Sequence, residues 1–115
     1  DGLVGDDGLI EVKTRMQKHQ IATIVAGTVP AEYLPQIQCG LLVSGRAWCD
    51  FISYCGGLPM LIVRVFPDES MQAAIMDAAL AFEARMDDAL AAYTHNTKAL
   101  RAIPTERVIE QEMYV

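Results

Sequence analysis

Asp1-Gly2-Leu3-Val4-Gly5-Asp6-Asp7-Gly8-Leu9-Ile10-Glu11-Val12-Lys13 is the stretch on which the fold turns. Leu3-Val4 and Leu9-Ile10-Glu11-Val12 are strand-like, and Asp6-Asp7-Gly8 between them has turn chemistry, so the segment is predicted to be a β-hairpin. A three-residue loop closed by Gly8 in the left-handed conformation is a common hairpin solution. It would pair Gly5 with Leu9, Leu3 with Glu11 and Asp1 with Lys13, placing Asp1, Glu11 and Lys13 on one face. A two-residue loop shifts the register by one and sends Asp1 to the opposite face. The turn therefore decides whether these charges act together.

Downstream, Met16 to Ala26 has a helical pattern with Met16, Ile21, Ile24 and Val25 on one side, and Gly27 and Pro30 supply the stop. A second helix is predicted over Ala31–Val43, with Tyr33, Ile37 and Leu41 spaced for burial. Pro35 belongs in a first turn, which moves the helix start toward Leu34. Trp48–Tyr54 and Leu61–Val65 are aromatic and β-branched strands joined by a Gly56-Gly57-Leu58-Pro59 turn. Pro67 and Asp68 open a long helix, Glu69–Tyr93. Its stripe of Met71, Ile75, Ala78, Ala79, Phe82, Met86 and Leu90 reads as core. A polar tail follows His95, with a short helix from Thr105 to Met113.

The chain has 115 residues, 52% of them hydrophobic, which suits one domain with a real core and excludes a disordered or collagenous chain. Its longest apolar runs are too short to cross a bilayer, and no membrane partner is expected. Cys39, Cys49 and Cys55 form neither a disulfide framework nor a zinc pattern and read as small buried thiols of a reducing cytoplasm. The net charge of −6 argues at first against nucleic acid. Its distribution does not: residues 1–65 hold six acids and five bases, residues 66–115 nine acids and four bases. Lys13, Arg15, Lys18 and His19 crowd into seven positions, a local anion-binding stretch within an acidic chain.

Two residues along a strand span roughly 6.6–6.8 Å and point the same way, so Glu11 and Lys13 are neighbours with Asp1 facing them. Two close carboxylates favour a bound cation, and all-oxygen ligands select magnesium or manganese rather than zinc. A metal there suits phosphodiester hydrolysis, with Lys13 stabilising charge on the phosphate. The same spacing also describes an ordinary solvent-facing salt bridge, worth ~0–1 kcal/mol.

Asp1-Gly2-Leu3 followed by Gly8-Leu9-Ile10-Glu11-Val12-Lys13 resembles the PD-(D/E)xK nuclease signature. Gly27-Thr28-Val29-Pro30, Tyr33-Leu34-Pro35-Gln36-Ile37-Gln38, Leu42–Tyr54 and Met86-Asp87-Asp88-Ala89-Leu90 are, in that order, similar to the YqaJ-type viral recombinase family, the lambda-exonuclease-like branch of these nucleases. The resemblance spans residues 1–93. It implies an α/β (α+β mixed) restriction-endonuclease-like core, a central mixed sheet flanked by helices, with residues 1–94 as the C-terminal part of the nuclease domain and 95–115 as a tail. The family has a helix and a strand before the motif aspartate, so the chain reads as a piece of a longer protein.

For function, the resemblance implies digestion of linear double-stranded DNA from the 5′ end, with Mg2+ (Mn2+ as substitute). Asp1 and Glu11 would be metal ligands with the Val12 carbonyl as a third, Lys13 the catalytic lysine, and Gln36 the active-site glutamine. It further implies a homo-oligomer, a ring-shaped trimer, working beside a single-strand annealing protein in phage or prophage recombination in a bacterial cytoplasm. Thr14 and Arg15 stand where relatives often carry Cys-Pro. Arg15 and Lys18 are read as DNA-phosphate contacts because they adjoin Lys13. Gln38 is read as structural or surface, and Trp48 as core, because it opens a strand whose neighbours are apolar. The competing readings are a catalytically incompetent DNA-binding or assembly module of this fold and another PD-(D/E)xK endonuclease; a relative with an iron–sulfur cluster would bring grouped cysteines, absent here.

Overall fold

The parallel pair at the centre of the sheet dictates the rest of the architecture. In the computed structural model, which describes residues 1–107, the strands are β1 (Gly2–Val4), β2 (Gly8–Thr14), β3 (Trp48–Tyr54) and β4 (Leu61–Val65), in the spatial order β1-β2-β3-β4. β2 and β3 are parallel, and the outer pairs β1–β2 and β3–β4 are antiparallel. A parallel connection needs a crossover. It is made by α1 (Gln17–Ala26), a short 3-10 turn (Ala31–Tyr33) and α2 (Leu34–Ser44). Pro35 lies in the first turn of α2, where its missing N–H costs nothing. Gly27 and Gly45 close the two helices in the left-handed conformation. The mixed α/β architecture expected from the sequence is the one observed.

One face of the sheet carries the core. Cys49 and Phe51 of β3 are buried against Ile37 and Leu41 of α2, with Leu9, Val29, Tyr33 and Val65 around them. Tyr33 stacks on Phe51 with ring centroids 5.7 Å apart. α1 docks on the same face by a polar contact rather than by its apolar stripe. Gln20 is fully buried, donating to the carbonyls of Ser53 (3.1 Å) and Pro59 (2.8 Å) and accepting from the Ser53 hydroxyl at 2.6 Å. Met16, Ile21 and Val25, expected to be buried, are exposed, and Ile24 is half-buried. Gln20 wins because every polar atom of its amide finds a partner, which removes the usual cost of burying it.

The hairpin register differs from the expected one. Gly2 pairs with Ile10, Leu3 with Leu9 and Val4 with Gly8, so the loop is Gly5-Asp6-Asp7 and the left-handed residue is Gly5, at φ +54°. Gly8 belongs to the strand. A Cβ there would run into the indole of Trp48, so its missing side chain serves a close approach rather than the turn. The shift is two places, an even number, so Asp1 still falls on the face of Glu11.

Residues Asp1–Ala79 form one compact unit, and a second begins at Leu80. The last helix, α3 (Glu69–Ala99), opens with Asp68 accepting from the Met71 N–H (3.0 Å) and runs beyond the expected end at Tyr93. It buries no residue. Met71 and Ile75 are half-buried, while Phe82, Met86 and Leu90 are exposed, so the expected core stripe is not core among the described residues. Of the short helix expected over Thr105–Met113, Thr105–Arg107 are not helical and the remainder lies outside the described residues. Cys49 and Cys55 are buried as expected, but Cys39 is exposed. Among the described residues, no helix is long and apolar enough to cross a membrane.

Candidate active site

β2 presents Leu9, Glu11 and Lys13 on the covered face, in register with Cys49, Phe51 and Ser53 of β3. Glu11 and Lys13 form an ion pair of 2.5 Å. Gln36, in the first turn of α2, closes a triangle with them. Its amide donates to Glu11 Oε1 (2.7 Å), and its oxygen accepts from Lys13 Nζ (3.0 Å). Three residues separated by up to 25 positions are thereby fixed on one another at the seam between β2 and α2. Lys13 also lies 5.3 Å from the centre of the Tyr33 ring. Of its three N–H donors, one carries no protein partner among the described hydrogen bonds.

Asp1 approaches from the end of β1. Its Oδ1 accepts from the Val12 N–H at 2.9 Å. N–H and C=O of one strand residue project to the same edge, so the Val12 carbonyl also faces Asp1. Asp1, Glu11 and Gln36 line a cleft of about 200 Å³ whose other walls include Leu9, Ile37 and Cys49. Cys49 is no nucleophile here, since burial, and then the charges of Glu11 and Asp50, push its thiol pKa up. Two carboxylates lining one cleft suit magnesium, which keeps several waters and asks for only one or two protein carboxylates. Among the described residues, no group of three or more His, Cys, Asp or Glu side chains is placed to hold a metal.

Arg15 continues the alternation of Glu11 and Lys13, because β2–β3 pairing extends to an Arg15 N–H bond on Tyr54 (2.7 Å). Its guanidinium reaches Glu32 (3.3 Å) and lies over Tyr33, 5.0 Å from the ring centre. Lys18 and His19 are exposed on α1. Gln38 is buried and structural, donating to Phe66 O and accepting from the Asp68 N–H and the Gln72 amide. Trp48 is half-buried outside the core cluster, between Gly8 and the Arg64 guanidinium, which stacks 3.7 Å from its ring centre. It faces away from the core because strand alternation gives that side to Cys49 and Phe51.

Arg46 has a function that its sequence neighbourhood did not disclose. Its Nη1 lies 2.9 Å from the carbonyls of Gly5 and Gly8 and 3.4 Å from that of Val4, and the Ala47 N–H donates to Asp7 O at 2.9 Å. The hairpin that delivers Asp1 is thus pinned from the start of β3. An arginine just after a helix-ending glycine is the only sequence signal for it, and that is not distinctive.

The four-stranded mixed sheet with crossover helices over one face is a fold this chain shares with an exonuclease. Among solved structures it is similar to the alkaline exonuclease LHK-Exo from Laribacter hongkongensis, with a TM-score of 0.81 and 35% identity over 86% of this chain and 53% of that one. It is also similar to LHK-Exo in complex with dAMP, with a TM-score of 0.77 and 37% identity over 86% and 52%. The chain thus spans about half the length of the solved structures it matches. No family model matches, and neither does any curated protein.

Proposed function

We propose that this chain carries the catalytic part of a metal-dependent exonuclease that digests linear double-stranded DNA, 5′ to 3′, in phage or prophage recombination. The hydrogen-bonded triangle of Glu11, Lys13 and Gln36 beside Asp1 is the observation that carries the proposal. Its similarity to an alkaline exonuclease and to that enzyme's dAMP complex supports it. Asp1, Glu11 and the Val12 carbonyl would hold Mg2+, which supplies Lewis-acid stabilisation of the phosphoryl oxygen. Gln36 holds the Lys13 ammonium and the Glu11 carboxylate in fixed relation, and the remaining donor of Lys13 is available to the negative charge that develops on the phosphate. The hydrophobic walls of the cleft limit water around that charge and strengthen the interaction. Magnesium, a homo-oligomeric ring, an annealing-protein partner and the cytoplasm of a bacterial host belong to the same proposal.

Single-turnover digestion of a 5′-phosphorylated linear duplex with magnesium tests it. Lys13→Ala in the full-length protein should lower the rate by ~10²–10³-fold, or roughly 3–4 kcal/mol. Lys13→Arg should not restore the rate, because a planar guanidinium places its donors differently from an ammonium. Equal rates in wild type and both variants would reduce Lys13 to a surface salt-bridge residue. An inactive wild type that still binds duplex would establish the inert DNA-binding module instead.

A further inference from the structure

Next to Tyr33 lies a second cleft of about 370 Å³ lined by Thr14, Arg15, Met16, His19, Glu32 and Tyr33. Three independent features make it a place for an anion. The Arg15 side chain is only 9% exposed, and its Nε is buried without a hydrogen-bond partner. A buried guanidinium nitrogen left unpaired is costly, and an incoming acceptor removes that cost. The cleft also meets the start of α1, a ten-residue helix with no side-chain cap and no acidic residue in its first turn, so its N–H groups and dipole favour negative charge. Third, the one acidic group in the cleft is loosely held. Glu32 is 65% exposed and contacts Arg15 through a single 3.3 Å hydrogen bond, rather than the two-pronged grip a guanidinium offers.

We propose that Arg15 binds a backbone phosphate of the DNA strand and that Glu32 occupies its guanidinium only in the free protein, giving way when the strand arrives. The inference rests on the polynucleotide substrate proposed above but not on hydrolysis. Tyr33 sets the geometry. Lys13 and Arg15 both lie over its ring, 5.3 and 5.0 Å from the centre, so the two cations are at most about 10 Å apart. At 3.4 Å of axial rise per nucleotide, the phosphate at Arg15 lies within about three steps of the one at Lys13. The alternation of Glu11, Lys13 and Arg15 along one strand thus becomes a short track, chemistry first and grip next.

The test is duplex binding by fluorescence anisotropy across a salt series, in EDTA so that no strand is cut, on the full-length protein. Arg15→Met keeps a flexible apolar side chain of similar length and should weaken binding about tenfold, the size of one charge-assisted contact, while lowering the salt slope by about 1. Glu32→Gln, at an exposed position, should tighten binding about fivefold. In the Arg15→Met background that gain should disappear. The same gain in both backgrounds would mean long-range repulsion, and an unchanged salt slope in Arg15→Met would mean no phosphate sits there. Either result overturns the proposal, as does a wild type that fails to bind duplex. A wild type that binds with these dependences yet never cuts would sink the nuclease proposal and leave this one standing.

Discussion

Each face of the sheet carries a carboxylate–cation pair whose two members both belong to strands, and the two are built for different ends. On the outer face Arg64 grips Asp50 with two parallel bonds of 2.8 Å and stacks on Trp48, with side chains 48% and 19% exposed. Both ends of that fork are satisfied within the pair, and solvent screens what remains. On the inner face Lys13 and Glu11 are 23% and 13% exposed, set beside buried Phe51 and Ser53, and shared with a third group, Gln36. Burying a charge pair this far costs desolvation that its mutual attraction does not dependably return. Stability gives little reason to keep such a pair, whereas a preorganised cation with a spare donor beside a cleft is what phosphoryl chemistry uses. The outer pair is closed, and the inner one is left open on the side of Asp1.

Removing the cation from each pair is the sharpest way to break this comparison. Lys13→Ala should cost ~10²–10³-fold in single-turnover rate, whereas Arg64→Ala should leave the rate unchanged and shift only stability, slightly. Comparable losses from both would mean that the inner pair has no privileged role. A loss confined to Arg64→Ala would move the functional face to the other side of the sheet.

A smaller effect, on stability rather than rate, is expected from Gly8→Ala. The added methyl would collide with the Trp48 indole, on which Arg64 rests. Displacing the ring should cost about 1–3 kcal/mol, as overpacking generally does, read as a lower denaturant midpoint with an unchanged m-value. Gly5→Ala should cost less, because nothing crowds that position and only its positive φ resists a side chain. A reversed order would mean that Trp48 gives way at Gly8 and that the positive φ of Gly5 is the stronger constraint.

That pair of glycines also marks where the sequence was legible and where it was not. β3 and β4 fall on their expected residues, since β-branched and aromatic runs bounded by Gly and Pro have few alternatives. The hairpin was foreseen but its register was not, because Gly5 and Gly8 both suit a turn and only the approach of Trp48, forty residues away, assigns Gly8 to the strand. The common face of Asp1 and Glu11 survived because the register moved by two. In α1 the bounds were legible from Gly27, while the buried side was not, since hydropathy does not anticipate a glutamine satisfied by Ser53 and Pro59. The Glu11–Lys13 neighbourhood follows from strand period alone. The meeting of Gln36 with both follows only from how α2 lies on the sheet, which no local pattern encodes. Arg46 was invisible for the same reason, as its partners are carbonyls forty residues upstream.

The smallest expected effect concerns the outer pair and acid. Hydrogen bonding by Arg64 holds the Asp50 carboxyl below its ordinary value of 3.8; partial burial opposes this, and the arginine's charge adds to it. A depressed carboxyl pKa contributes stability that is fully present above the unfolded value and is lost as pH falls through the folded one. The contribution of Asp50 should therefore persist down to about pH 4 and decline below it. Asp50→Asn removes the titration while keeping the shape, so its denaturant midpoint should fall less steeply than that of wild type below that pH. The two slopes should run parallel at neutral pH, where Asp50 stays ionised in both the folded and unfolded chain. Since Arg64 is nearly half exposed, water screens the pair and the difference between the curves should be small. Its size sharpens the comparison: a steep acid loss traced to Asp50 would mean that the outer pair is as consequential for the fold as the inner pair is proposed to be for chemistry.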